Sequence, residues 1–309
     1  MERYKVNASS LWLRSTPSKV SDDNQILRLM RDELVEVTDT ADSTWYKVRT
    51  LRPTVSEGYS SSQYLIKATD DTDNMISSVT TPIHLKKGSR AERANRLSYA
   101  SPLSENGLPI MNNSSVESKI QSMQAIVSYL KVDSSLRYLK TKTATYCNIY
   151  AYDYCYLTQA FLPRVWWNDS ALKELLAGHS IALGSNRVHE VRANDIFRWL
   201  TEWGDDFGWK RVYDLDELQQ QVNLGKAGII SGRHVNANQS GHISCVIPES
   251  AAYTAKRING KVLCPLGSQA GSNNFQLNNT KAFQEYTWWI SKRFADTGFW
   301  YYDGPIVPL

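Results

Sequence analysis

The chain has no apolar run of the roughly 18 residues that a membrane-spanning helix needs, and only four cysteines among 309 residues. The first absence argues against a transmembrane helix. The second rules out a disulfide framework of the kind that staples small secreted domains. No two cysteines form a C-x-x-C pair, which argues against a zinc ribbon. Histidine is scarce, at five residues, and no H-E-x-x-H places two of them on one helical face. Lys/Arg-rich blocks are also missing apart from "HLKKGSRAER". The net charge of +4 therefore fits an anionic partner without arguing for nucleic acid. The opening "MERYKVNASSLWLR" lacks a charged-then-apolar leader with a small-residue cleavage site.

What is abundant is aromatic surface. Ten Trp and seventeen Tyr include the doublets Trp166–Trp167 and Trp288–Trp289. Such rings serve either as core and interface packing or as platforms for sugar and peptide. Trp166 and Trp167 are the candidates for substrate contact.

Residues 4–68 read as five short strands divided by turns: "LWLRS", "QILRLM", "ELVEVTDT", "TWYKVRT" and "GYSSSQYLI". This density suggests a small β-barrel. "LWLRSTPS", "STWYKVRT" and "EGYSSSQYL" resemble, in order, the opening, the W-x-K-V strand and the closing segment of bacterial SH3-like domains. That resemblance implies binding of cell-wall peptide or glycan, or packing against a catalytic domain. Tyr59 stands where the closing Trp is usual, and "LRPTVS" lengthens the preceding loop.

Residues 69–115 are polar and broken by Gly, Pro and Asn, so they read as a linker, with Asp70, Asp71 and Asp73 as a solvated cluster rather than a calcium loop. From residue 116 helical spacing takes over. Val116, Ile120, Met123, Ile126, Val127 and Leu130 form one stripe, capped by Ser114 or Ser115. "SALKELLAG", "RANDIFRWLTEWG" and "DLDELQQQVNLG" are further helices. "KAGIISGR", "GHISCVIPE" and "KVLCPLGSQAG" are strands, and "KAFQEYTWWISKRFA" reads as a last helix before an aromatic tail. Helices first and strands later predict an α+β domain over 116–309.

In "TYCNIYAYDYCYLTQAF", Thr145 is a suitable N-cap and Cys147 falls in the first helical turn. Helix N-terminal amides stabilise an anion, so a thiol there is expected to have a lowered pKa. Cys155, two turns on, and Cys245 and Cys264 read as small buried hydrophobes. A thiol nucleophile needs a base. His84, His179, His189 and His234 lie in loops or in the linker, whereas His242 begins an apolar strand after Gly241. Alternation sends Ile243, Cys245 and Ile247 to the buried face and His242, Ser244 and Val246 to the other. A zinc site on His234, His242 and Asp205 or Asp206 is the chemical rival.

"YCNIYAYDYC" with "LPRVWW" and, later, "SGHISCVIPE" is similar to papain-like cell-wall cysteine peptidases. These include the NlpC-type endopeptidases and the cysteine, histidine-dependent amidohydrolases/peptidases. The match covers about 145–271, with a long "VHEVRANDIFRWLTEWGDDFGWKRV" insert. The resemblance implies a papain-like α+β fold, a catalytic Cys147 and His242, and a polar residue on the next strand that orients the histidine. Gln269 takes that place, with Ser268 in reserve. The implied activity is hydrolysis of an amide bond in bacterial peptidoglycan, without a metal or cofactor, in the periplasm or outside the cell. Two other readings stay open: an inactive wall- or carbohydrate-binding protein, and the same hydrolase used as an exported toxin, with an immunity partner, or as a phage lysin.

Overall fold

The computed structural model describes residues 2–31, 33–52, 54–68, 75–85, 90–279 and 285–308. The architecture is mixed α+β. In chain order the α-helices among the described residues are α1 Val116–Leu130, α2 Cys147–Leu157, α3 Asp169–Leu176, α4 Ala193–Glu202 and α5 Leu215–Asn223. None is long and apolar enough to cross a membrane. The chain divides into two compact units, 1–81 with 167–189, and 82–166 with 190–309.

The first unit is built on a seven-stranded antiparallel sheet. Its strands are β1 Glu2–Val6, β2 Ser10–Arg14, β3 Gln25–Met30, β4 Leu34–Asp39, β5 Trp45–Thr50, β6 Glu57–Ser61 and β7 Leu65–Lys67, paired in the order β3-β2-β6-β5-β4-β1-β7. Seven strands replace the five expected, because β1 precedes them and a 3-10 turn splits the last segment into β6 and β7. Alternation puts Tyr4 and Val6, Leu11 and Leu13, and Val35 and Val37 into one core with Leu29, Val48 and Leu65. At the β2–β6 crossing a Cβ on Gly58 would sit 2.5 Å from the Arg14 carbonyl oxygen, so only glycine allows the approach. Helix α3 also belongs to this unit, although it was expected within a domain over 116–309.

The second unit holds a five-stranded antiparallel sheet in the order Trp209–Val212, Phe294–Tyr302, Gly228–His234, His242–Val246, Gly267–Ser268. The "aromatic tail" is thus an interior strand. The expected helix over 281–295 is not formed in its described part, where Trp288–Ile290 is a 3-10 turn and Phe294 starts the strand; residues 281–284 lie outside the described ones. Pairing on both edges of the tail outweighs its local helical spacing.

The expected linker also differs. Residues 90–115 carry no regular element, yet Ala91, Ala100, Leu103 and Met111 are buried. Arg93 pairs with Glu105 at 2.5 Å and stacks on Tyr129, and the Met111 amide donates to the Leu157 carbonyl. A polar composition hid a segment that buries four apolar side chains while Leu97 and Ile110 stay exposed. Asp70, Asp71 and Asp73 lie outside the described residues.

Candidate active site

Helix α2 is the buried centre of the second unit. Ten of its eleven residues are buried, leaving out Asn148, so the helix is enclosed nearly all round. A buried ion pair fixes its flank: Arg137 Nε meets Asp153 at 2.6 Å, with Tyr138 Oη donating to the same carboxylate at 2.9 Å. The helix starts at Cys147, and its N-cap is Tyr146, not Thr145. No side chain caps it, unlike α1, where Ser115 accepts from the Ser118 amide, or α3, where Asn168 accepts from the Ala171 amide. The first-turn amides of α2 are therefore left for another acceptor.

The Cys147 thiol takes that place. It is 2% exposed. Burial pushes its pKa up, and the backbone N–H groups of Ile243, Asn148 and Cys147 itself pull it down without overcoming burial. The expectation that the helix end would leave a thiol of lowered pKa is thus corrected: desolvation outweighs the amides. Cys155 has burial alone, and its pKa rises much further. Ile243 follows His242 on its strand, so the contact puts the thiol beside the residue that neighbours the histidine.

His242 Nε2 lies 2.8 Å from Gln269 Oε1. The amide's orientation is set by its other end, which donates from Nε2 to the Asn273 carbonyl at 3.1 Å. The oxygen therefore faces the ring, the ring proton sits on Nε2, and the Nδ1 lone pair is the basic one. Burial pushes the His242 pKa down to about 4, and the Gln269 bond opposes that shift. At neutral pH thiol and imidazole are both uncharged.

The alternation expected for the His242 strand holds for Ile243, Cys245 and Ile247, but Ser244 and Val246 are buried as well. Trp288 covers that second face. Its ring meets His242 edge-on at 4.5 Å, and its indole N–H reaches Ser244 Oγ at 3.3 Å. The sequence did flag the Trp288–Trp289 doublet, but as helix, which hid its place against the histidine. Gly271 was missed altogether. A Cβ there would lie 3.1 Å from His242 Cε1, so its bareness gives the ring room.

Ser268, the reserve, does not touch the histidine. It is buried, 2.5 Å from Tyr150 Oη, and donates to the Phe275 carbonyl. Trp166 and Trp167 are not platforms: they are 7% and 1% exposed. Trp166 packs against Trp199, Trp203 and Phe207, so aromatic packing takes the faces a substrate would need. His234 accepts the Asn236 amide on Nδ1 and lies against Phe294. Among the described residues no three His, Cys, Asp or Glu side chains converge as a metal site.

No family model matches the sequence, and no curated protein matches it. Among solved structures there is a similarity to NlpC2 from Trichomonas vaginalis, at 11% identity and a TM-score of 0.19, covering 89% of this chain and 95% of that one. A TM-score that low does not establish a shared fold.

Proposed function

We propose that the protein is a cysteine amidase or peptidase and that its substrate is an amide bond of bacterial peptidoglycan. The observation that carries the reading is the fixed His242–Gln269 hydrogen bond beside a thiol lodged among helix N-terminal amides. In the proposed reaction His242 Nδ1 takes the thiol proton as Cys147 Sγ bonds to the scissile carbonyl carbon. The amides at the start of α2 receive the developing oxyanion. The C–N bond then breaks, and the imidazolium protonates the leaving amine. Water, deprotonated by the same nitrogen, releases the acid and restores the thiol. Gln269 does no proton transfer; it keeps the proton on Nε2. The neutral pair means that charge separates only during attack.

In this reading the β-rich unit works as an SH3-like wall anchor, which raises effective concentration at the polymer. A groove of about 390 Å³ on that unit, lined by Trp12, Trp45 and Tyr64 with Arg14 and Lys19, suits the task.

The decisive test is mass spectrometry of fragments released from purified peptidoglycan. Wild type should release them, whereas folded Cys147→Ala and His242→Ala should not, and chelators should leave the activity intact. The near-complete burial of Cys147 favours a second reading, a dormant site in a wall-binding protein. Iodoacetamide separates the two: loss of turnover in step with Cys147 modification supports the enzyme, while wall binding with no turnover supports the second reading.

A further inference from the structure

Three stretches build the site: 138–148 before and through Cys147, 232–242 up to His242, and 268–279 around Gln269. Together they carry Lys140, Lys142 and Arg233 and not one Asp or Glu, although acidic residues number 31 in the chain. Arg233 is committed to Asp296 at 2.6 Å. The cations left for a ligand are Lys140 and Lys142.

Lys140 is the one with a fixed place. Its Nζ donates to the Ser272 carbonyl at 2.9 Å. Ser272 follows Gly271, which lies against His242 Cε1. The 269–275 loop is held at several points. Gln269 and Phe275 exchange both backbone bonds at 3.1 Å, and the Gly271 amide donates to Asn274 Oδ1 at 2.8 Å. Asn274 Nδ2 donates to the carbonyls of Val132 and Tyr138, just ahead of Lys140. One braced loop therefore orients His242 through Gln269 and seats the ammonium through Ser272. A single carbonyl uses one of three ammonium donors and leaves two for an acceptor. Lys140 is exposed, so this is a waiting cation and not a buried structural pair.

We infer that the site selects substrates bearing a free carboxylate close to the scissile amide and that Lys140 receives it, an inference that rests on the amidase reading. A carboxylate so placed would meet the Lys140 ammonium, while Asp133, the acid that touches the 268–279 stretch, is engaged by Gln276; a cation so left open favours anionic ligands at the encounter and in the complex. Lys140 acts on binding, not on the proton transfers.

The test uses the full chain and two soluble disaccharide-peptide fragments that differ only in whether one stem carboxyl is free or amidated. Wild type should prefer the free carboxylate by about tenfold or more in kcat/KM, the scale of a charge-assisted hydrogen bond. Lys140→Gln should collapse that preference through KM, with kcat on the amidated fragment unchanged. Lys140→Arg should keep it. Equal cleavage of both fragments by wild type, or a preference that survives Lys140→Gln, overturns the inference and leaves the amidase intact. Cleavage of neither fragment by wild type overturns the amidase reading and this inference with it.

Discussion

The two cysteines of α2 are the same side chain on the same helix, both buried, and their chemistry differs. Cys155 sits mid-helix, where every amide is spent on the helix itself, so burial acts on it unopposed. Cys147 stands where the first-turn amides have no helical acceptor and no capping side chain. Burial still raises its pKa, but three N–H groups work against that rise. Position along a helix, more than burial, therefore separates a packing thiol from one that can carry negative charge in a transition state.

The sharpest way to break this comparison is to truncate both. Cys147→Ala should remove at least about a thousandfold of turnover, as expected for loss of a nucleophile. Cys155→Ala should keep turnover and lose about 1–2 kcal/mol of stability to a small cavity. Fragment release and denaturant unfolding on the same preparations check both. If turnover follows Cys155, the assignment is wrong.

The next effect is in pH. His242 is held at about 4 in the folded chain against an ordinary 6.5. Between those values the unfolded chain binds the extra proton, so stability falls as pH drops from about 6.5 to about 4 and then levels off. The loss has an upper bound of about 3 kcal/mol at 1.36 kcal/mol per unit. His242→Gln should flatten that slope in denaturant titrations at pH 7, 5 and 4. Turnover needs the neutral base and should fade on the acid side only near pH 4; an acid limb near 6.5 would show that the ring is not desolvated during catalysis.

Gln269→Ala should slow turnover roughly ten- to a hundredfold, about 1.4–2.7 kcal/mol of barrier, with little change in KM. Ser268→Ala should leave turnover intact and cost about 1 kcal/mol of stability through the Tyr150 and Phe275 contacts. Steady-state rates on one soluble fragment decide between them.

The smallest effect tests the open helix end itself. Ser115→Ala should cost about 1 kcal/mol, because Ser115 caps α1. Thr145→Ala should change stability by less than about 0.5 kcal/mol, because Thr145 is exposed and caps nothing. A capping-sized loss at Thr145 would mean that α2 starts earlier and that its amides are not free for the thiol.

Local pattern alone determined a good deal here. The spacing of apolar residues located α1 to α5, the strands around Ile229 and Ile243, and β2 to β7 of the first unit with the last two read as one; it missed β1. The helix-tip position of Cys147 and the strand-leading position of His242 were equally legible, since both depend on neighbours within a turn or two. The strand read over "KVLCPLGSQAG" was legible too, although it breaks between Cys264 and Gly267.

Only the tertiary structure decided the rest, because it depends on what lies opposite in space. Burial raised the thiol pKa against the direction that helix position implied, and lowered that of the imidazole. Strands on both sides turned "FADTGFWYY" into an interior strand where the segment leading into it read as helical. Packing consumed the faces of Trp166 and Trp167, while Trp288 came against His242 from 46 positions away in sequence. Desolvation and long-range pairing are properties of the folded surroundings, and no window of neighbouring residues contains them.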